Sequence, residues 1–266
     1  MTQVIVSQTA IVGPRPVVGW RNLLLDGAVT FSSEEDENPH ENAFDDIGTD
    51  YWRPEDSGQQ WLEVEFSGER SADYIAVSRH TMHGAGVSFR LQYWDGGWVN
   101  AHSVVTPGND DVVLVLFDTV SSTRFRFLLN GSGRARIGDV RFGERLTFER
   151  GIFLGHVPEK LNRSNRLVGR RTEAGVPLPR SIIRQGVESE ISVDNLSASF
   201  VFEHWEPFAR HAETSNFVWA WNPAQYPEQV LWAWPTADGI AEPSRVGGPQ
   251  SRGLWQVSMP IKGVFR

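Results

Sequence analysis

The stretch Gln60-Trp61-Leu62-Glu63-Val64-Glu65-Phe66 alternates along its whole length. In an extended chain Trp61, Glu63 and Glu65 fall on one side, and Leu62, Val64 and Phe66 on the other. That period of two is the pattern of a half-buried strand, with the second set facing a core. Outward from it, Tyr74–Arg79, Ser88–Trp94, Val112–Phe117 and Thr123–Leu129 read as further strands, cut by Gly, Pro, Asn and Asp at intervals of about ten residues. Asp95-Gly96-Gly97 reads as a hairpin turn, because glycine accepts the positive φ of tight turns. Beyond residue 185, Glu190–Phe202, Asn216–Trp221, Val230–Pro235 and Leu254–Pro260 read as strands. Trp205–Ala212 reads as a short helix with Pro207 in its first turn, and Ser32–Asn42 as an exposed acidic loop. The fold class is all-β.

The 266 residues, 40% hydrophobic and 22% charged, are those of a globular chain. The absence of cysteine removes disulfides, thiol nucleophiles and thiolate zinc sites together. No run approaches the ~18 apolar residues of a membrane span, and the start lacks a secretory pattern. Assembly in a cytoplasm, without membrane insertion, is the expectation. Charge is unevenly spread: residues 1–144 hold 11 basic and 21 acidic side chains, residues 145–184 hold 9 and 3, and residues 185–266 hold 5 and 9. An acidic first half argues against a nucleic-acid partner, since phosphate binding needs a positive field. The basic stretch has no aromatic residue between Leu154 and Phe200 on which a base would stack. It reads as a solvated connector or an arm docked on an acidic neighbour, with Arg163, Arg166, Arg170 and Arg171 as its assembly residues. Five Trp precede this shift and six follow it, so each half can build its own core. Two domains are expected: 1–145, with an early arm, and 146–266, with a basic connector over 146–184.

Several features of the first domain occur in a fixed order. Asn42-Ala43-Phe44-Asp45-Asp46 precedes Thr49 and Trp52, and the quoted strand follows. Next come Tyr74-Ile75-Ala76-Val77, Phe89-Arg90-Leu91-Gln92-Tyr93-Trp94-Asp95-Gly96 with Trp98, Thr123-Arg124-Phe125-Arg126-Phe127, and Ile137–Gly143. This order resembles the discoidin, or coagulation-factor type-C, family over about 105 residues. The resemblance implies a galactose-binding-like jelly-roll sandwich that binds ligands through loops at one end. The departures are Asp46 for the usual glycine and Glu65-Phe66-Ser67 for Asp-Leu-Gly. Trp52 and Trp61 read as core residues rather than ligand platforms. The resemblance puts a glycan site at Arg79, His80, His83, Asn130 and Arg134, in loops 79–83 and 130–134, with Trp20 or the early loop Phe31–Asn42 beside them. The same histidines fit ordinary surface positions, and Asn130 and Arg134 fit a polar turn. It also implies a structural calcium at Asp45, Asp46 and Thr49, for which an Asx turn without metal is the competing reading. No other cofactor is expected.

The second domain holds Ser181–Gly186, Trp205-x-x-Phe208-x-x-His211-Ala212, Phe217–Trp221 running into Asn222-Pro223-Ala224-x-Tyr226-Pro227, Val230–Trp234, and Trp255–Ile261. This set resembles tail-tip proteins of long-tailed bacteriophages, of the distal-tail or minor-tail type. Its alternating aromatics read first as a β core, with Phe217, Trp219 and Trp221 on one strand face. The seven histidines form no H-E-x-x-H pattern, and neither G-x-S-x-G nor a phosphate-cradling glycine loop occurs. The acidic residues gather in the Ser32–Asn42 loop and on strand faces, where solvation is their default role, so no enzyme is expected. The expected function is a structural component of a phage tail tip in the virion. Its partners are other tail proteins and further copies of itself in a ring, with a host surface glycan at the first domain. The alternatives are a stand-alone carbohydrate-binding accessory protein and a surface-polysaccharide hydrolase.

Overall fold

Two long strands, Gly58–His80 and Val113–Gly131, organise the first half of the chain. The computed structural model describes residues 3–6, 13–152, 155–169, 171–176, 178–236, 241–246 and 253–265. The two strands pair antiparallel chiefly over residues 58–65 against 131–124 and residues 74–77 against 116–113, with a short stretch of 70–72 against 122–120 and register shifts between. The first pairing forms one leaf with Ala28–Phe31, Val87–Trp94 and Trp98–Asn100. The second forms the other leaf with Ile137–Gly143 and the parallel strand Gln3–Val6. Every strand expected in this half is present. Gly96 turns the 94–98 hairpin at φ +68°.

Leu62, Val64 and Phe66 are buried between the leaves with Phe89, Phe125, Phe127 and Ile137. Trp52 is fully buried and donates its indole N–H to the Ser33 carbonyl (3.1 Å). Burying a ring of that size removes roughly 200 Å² from water, worth about 5 kcal/mol. Trp61 is not a core residue. It shares the outward side of its strand with Glu63 and Glu65 and is half-buried there, because alternation puts it one residue out of phase with Leu62.

The second half builds one sheet in the order Val187–Leu196, Trp255–Val264, Val230–Pro235, Phe217–Ala220, Val17–Gly19 and Leu146–Thr147, with Ala241–Arg245 pairing Trp255–Val264. Val17–Gly19 thus comes from the other side of the sequence boundary near 145 to pair with Phe217–Ala220. The expected strand over Glu190–Phe202 ends at Leu196. Asn195 adopts φ +60°, and Ser197 caps a helical run by accepting from the Phe200 amide (3.1 Å). Helical turns then continue from Ala198 through Ala212, with Pro207 in the first turn of Glu206–Ala212. Phe200, Trp205 and Phe208 pack from this run onto Phe217, Trp219 and Leu231.

The opposite face of that sheet packs on the first sandwich. Val4, Tyr74, Ala76, Leu114 and Leu116 form one apolar cluster with Val17, Val218, Ala220, Val230 and Trp232. The inner leaf is therefore covered on both sides, which explains why Val112–Phe117 is apolar without alternation. At this junction Arg141, 2% exposed, donates to both carboxylate oxygens of Asp139 (3.0 and 2.6 Å), to Asp46 (2.8 Å) and to the Asn216 carbonyl. Burial alone would lower the guanidinium pKa, but Asp139 and Asp46 hold it above its ordinary value.

The start of the basic stretch lies against the second sheet. Buried Glu159 accepts from the Trp219 indole (2.8 Å), and the Lys160 amide donates to Gln229 (3.0 Å). His156 packs on Trp221, which stacks on Tyr226 at 4.8 Å. The W-x-P-x-x-Y-P segment thus serves as a seat for the connector. Beyond it, Arg166–Val168 and Ser181–Arg184 form a two-stranded hairpin outside both sheets.

Candidate functional site

The loops that the resemblance implicates converge at one end of the sandwich. Gly133 lies so close to the 82–86 turn that a Cβ there would stand 2.4 Å from the Ala85 carbonyl oxygen. Thr81 and Arg136 exchange hydrogen bonds, Thr81 N–H to Arg136 O (3.1 Å) and Arg136 N–H to Thr81 Oγ1 (2.9 Å). Arg134 then reaches the early loops, donating to Glu35 Oε1 (2.7 Å) and the Glu55 carbonyl (3.0 Å). Arg53 approaches the same Glu35 carboxylate at 3.5 Å, and Arg136 lies over the Tyr51 ring at 4.7 Å. His40 stacks on Phe31 at 4.2 Å and bonds Glu34 through Nδ1 (2.8 Å).

The five expected glycan residues fare differently. Arg134, Asn130 and His83 are exposed at this end. His83 Nδ1 contacts the Pro107 carbonyl (3.1 Å), and its amide donates to Asp110 (2.8 Å). His80 is a correction. It is 2% exposed, its Nε2 meets the Asp111 carbonyl (2.9 Å), and its Nδ1 accepts from the Met82 amide (3.3 Å), so no ring edge is left for a ligand. Arg79 is a second correction. At φ +53° it donates to the Ile47 (3.0 Å) and Asp50 (3.2 Å) carbonyls, and its guanidinium stands 5.4 Å from the Trp232 ring centroid. Burial lowers its pKa against the pull of nearby Asp139, Asp45 and Asp50. Gly138 makes room for it, since a Cβ there would meet Arg79 Cβ at 2.9 Å. Arg79 ties the 45–50 loop to Trp232 of the second sheet.

The expected calcium ligands have protein partners. Asp45 accepts from the Ile47 amide (2.8 Å) in an Asx turn, Asp46 pairs with Arg141, and Thr49 donates to Asp50 (2.9 Å). Asp46 adopts φ +63°, so it keeps the left-handed backbone of the family's glycine while adding a carboxylate to the buried network. Among the described residues, the acidic and histidine side chains that converge as three are Glu34, His40 and Glu41, not these.

Of the residues expected to serve assembly, Arg163, Arg166 and Arg171 are exposed, and Arg170 lies outside the described residues. An open cleft of 650 Å³ is lined by Asp111, Lys160, Arg163, Gln185 and Phe265 among others. Arg53, Tyr51 and Arg136 are the site residues that the sequence did not single out, whereas Glu35 falls within the expected early loop Phe31–Asn42. The one local signal was Arg136, two residues from Arg134 and on the same side of an extended segment.

The arrangement offers guanidinium donors, a carboxylate acceptor and exposed amides on loops held by a rigid sandwich. That is chemistry for binding hydroxyl-rich ligands.

Residues 28–141 match the F5/8 type C domain family. Among solved structures, a family 32 carbohydrate-binding module from C. perfringens in complex with galactose is 19% identical, over 48% of this chain and 99% of that one, with a TM-score of 0.40. A pectin-binding carbohydrate-binding module is 20% identical over 44% and 89%, with a TM-score of 0.37. A putative α-L-fucosidase from Bacteroides thetaiotaomicron is 13% identical over 46% of this chain and 28% of its own, with a TM-score of 0.38. No curated protein sequence matches the chain. Residues 28–141 are an F5/8 type C domain, built as a galactose-binding-like β-sandwich.

Proposed function

We propose that the chain is a non-catalytic attachment protein of a long-tailed phage tail tip. The loop end of its F5/8 type C domain binds a host surface glycan, and its second domain seats it among other tail proteins. The observation that carries the assembly reading is the exposed apolar surface of the connector. Seven of the fourteen exposed large apolar side chains described lie between residues 157 and 182, with Leu161 74%, Val176 56% and Ile182 49% exposed. Arg163, Arg166 and Arg171 flank them. A solvated connector has no use for such a surface, whereas a subunit contact does. Glycan binding rests on Arg134, Glu35, Arg53 and Asn130 at the loop end, and on what the similar modules are described as binding.

Light scattering of the purified chain tests the first half. An oligomer that Leu167→Asp and Ile182→Asp return to monomer supports it, and a monomer at all concentrations refutes it. Binding to a panel of immobilised glycans, weakened by Arg134→Ala with unchanged melting, tests the second. A monomer that binds glycan would be a stand-alone carbohydrate-binding protein, which the same loop end serves equally well. Release of reducing ends from a polysaccharide would make it a hydrolase.

A further inference from the structure

The outward face of the leaf carrying the quoted strand holds side chains that the loop end does not use. Register sets them in neighbouring rows: Trp94 opposite Trp98, Gln92 opposite Asn100 and Arg126, and Arg90 opposite Leu128. The two indoles meet edge to face at 5.4 Å, and Trp94 is 36% exposed. Arg126 stands 4.1 Å from the Trp98 ring centroid, and Arg124 5.0 Å from that of Trp94. Beneath them buried Gln92 accepts two bonds from Arg126 (2.8 and 3.1 Å) and donates to Asn100 (2.8 Å). Arg124 is neutralised by Glu63. Among the described residues Arg126 and Arg90 form no ion pair within 4 Å, although Glu63 stands opposite Arg126 in the register and its charge acts on that guanidinium.

The indole faces attract the guanidiniums above them, which leaves outward N–H groups to bond water or an anion. The rows are also already rigid, held by ladder and side-chain hydrogen bonds, so binding orders little further. Guanidiniums grip carboxylates through paired bonds, aromatic rings offer an apolar plane to a pyranose, and Asn100 offers an amide to hydroxyls.

We infer that this face is a lateral binding site for a carboxylate-bearing polysaccharide, distinct from the loop end. Arg90 and Arg126 take the uronate carboxylates, and Trp94 takes the sugar ring. If the Trp94–Trp98 pair served only to lock its hairpin, Arg90, which touches neither ring, would be dispensable.

Affinity electrophoresis of the full chain through gels containing alginate, with dextran as the neutral control, tests this. Alginate should retard the protein and dextran should not. Arg90→Ala and Arg126→Gln should each weaken retardation about tenfold, the ratio that about 1.4 kcal/mol gives, with melting unchanged for Arg90→Ala. The connector variant Arg163→Ala/Arg166→Ala/Arg171→Ala and the loop-end variant Arg134→Ala should still be retarded. Absence of retardation, retardation of the Arg90 and Arg126 variants equal to that of the wild type, or loss on altering the connector would each overturn the inference. So would unchanged retardation with a changed oligomeric state in Arg90→Ala, which would give the face to a second copy. Because Arg134→Ala reports on the loop end separately, failure of one site does not imply failure of the other.

Discussion

Acidification should destabilise the first sandwich through His102. Its imidazole is 1% exposed and packs against Phe89 and Phe117. Nε2 accepts from the Leu91 amide (3.0 Å), so the ring proton sits on Nδ1, which donates to the Ser103 carbonyl (2.7 Å). Charging the ring would put a second N–H against the Leu91 N–H inside an apolar layer. Burial accordingly depresses the pKa from 6.5 to about 4, with the bond to Ser103 opposing. The unfolded chain therefore binds the proton first. The neutral ring's contribution is complete above pH 6.5, fades as pH falls from 6.5 to about 4, and changes no further below that. At about 1.36 kcal/mol per pH unit this is worth about 3 kcal/mol. Urea unfolding of the wild type and His102→Gln between pH 8 and 4 isolates it, because every other titrating group is common to both. The stability difference between them should shrink by about 3 kcal/mol across that window. A difference that stays flat with pH, or a His102 resonance titrating near 6.5, would refute the reasoning.

Two further outcomes follow from the packing. Arg141→Met should cost about 3–5 kcal/mol in urea unfolding, because it strands the buried Asp139 carboxylate. A loss below about 1 kcal/mol would mean that the junction is not held through this network. Gly133→Ala should cost about 1–3 kcal/mol and weaken glycan binding, since its Cβ would displace the Ala85 turn that sets the loop end. Unchanged melting and binding would show that the two loops can separate without consequence.

The alternation of residues 60–66, the Gly96 turn, the burial of Trp52 and the helix at Pro207 were all legible in the sequence, because each depends on neighbours a few residues away. Trp61 was misjudged by composition where phase was decisive. A large aromatic suggests a core, but its parity matches Glu63 and not Leu62. The strand expected through Phe202 failed because Ser197 offers a cap, a local signal that a continuing apolar pattern masked. His80 and Arg79 looked like loop-end ligands because their sequence neighbourhood is polar. Their partners, the Asp111 carbonyl and Trp232, lie 31 and 153 residues away.

Periodicity and turn chemistry, then, determined by themselves that the first half is built of β-strands with Leu62, Val64 and Phe66 on the core side, while its sandwich form was implied by the family resemblance. They also determined that a basic connector separates two aromatic-rich blocks. Only the tertiary structure decided what covers the sandwich's inner leaf, that Val17–Gly19 belongs to the second sheet, and which of the expected site residues reach solvent. The reason is physical: a side-chain period says which face is apolar, whereas the surface that buries that face is supplied by residues distant in the chain.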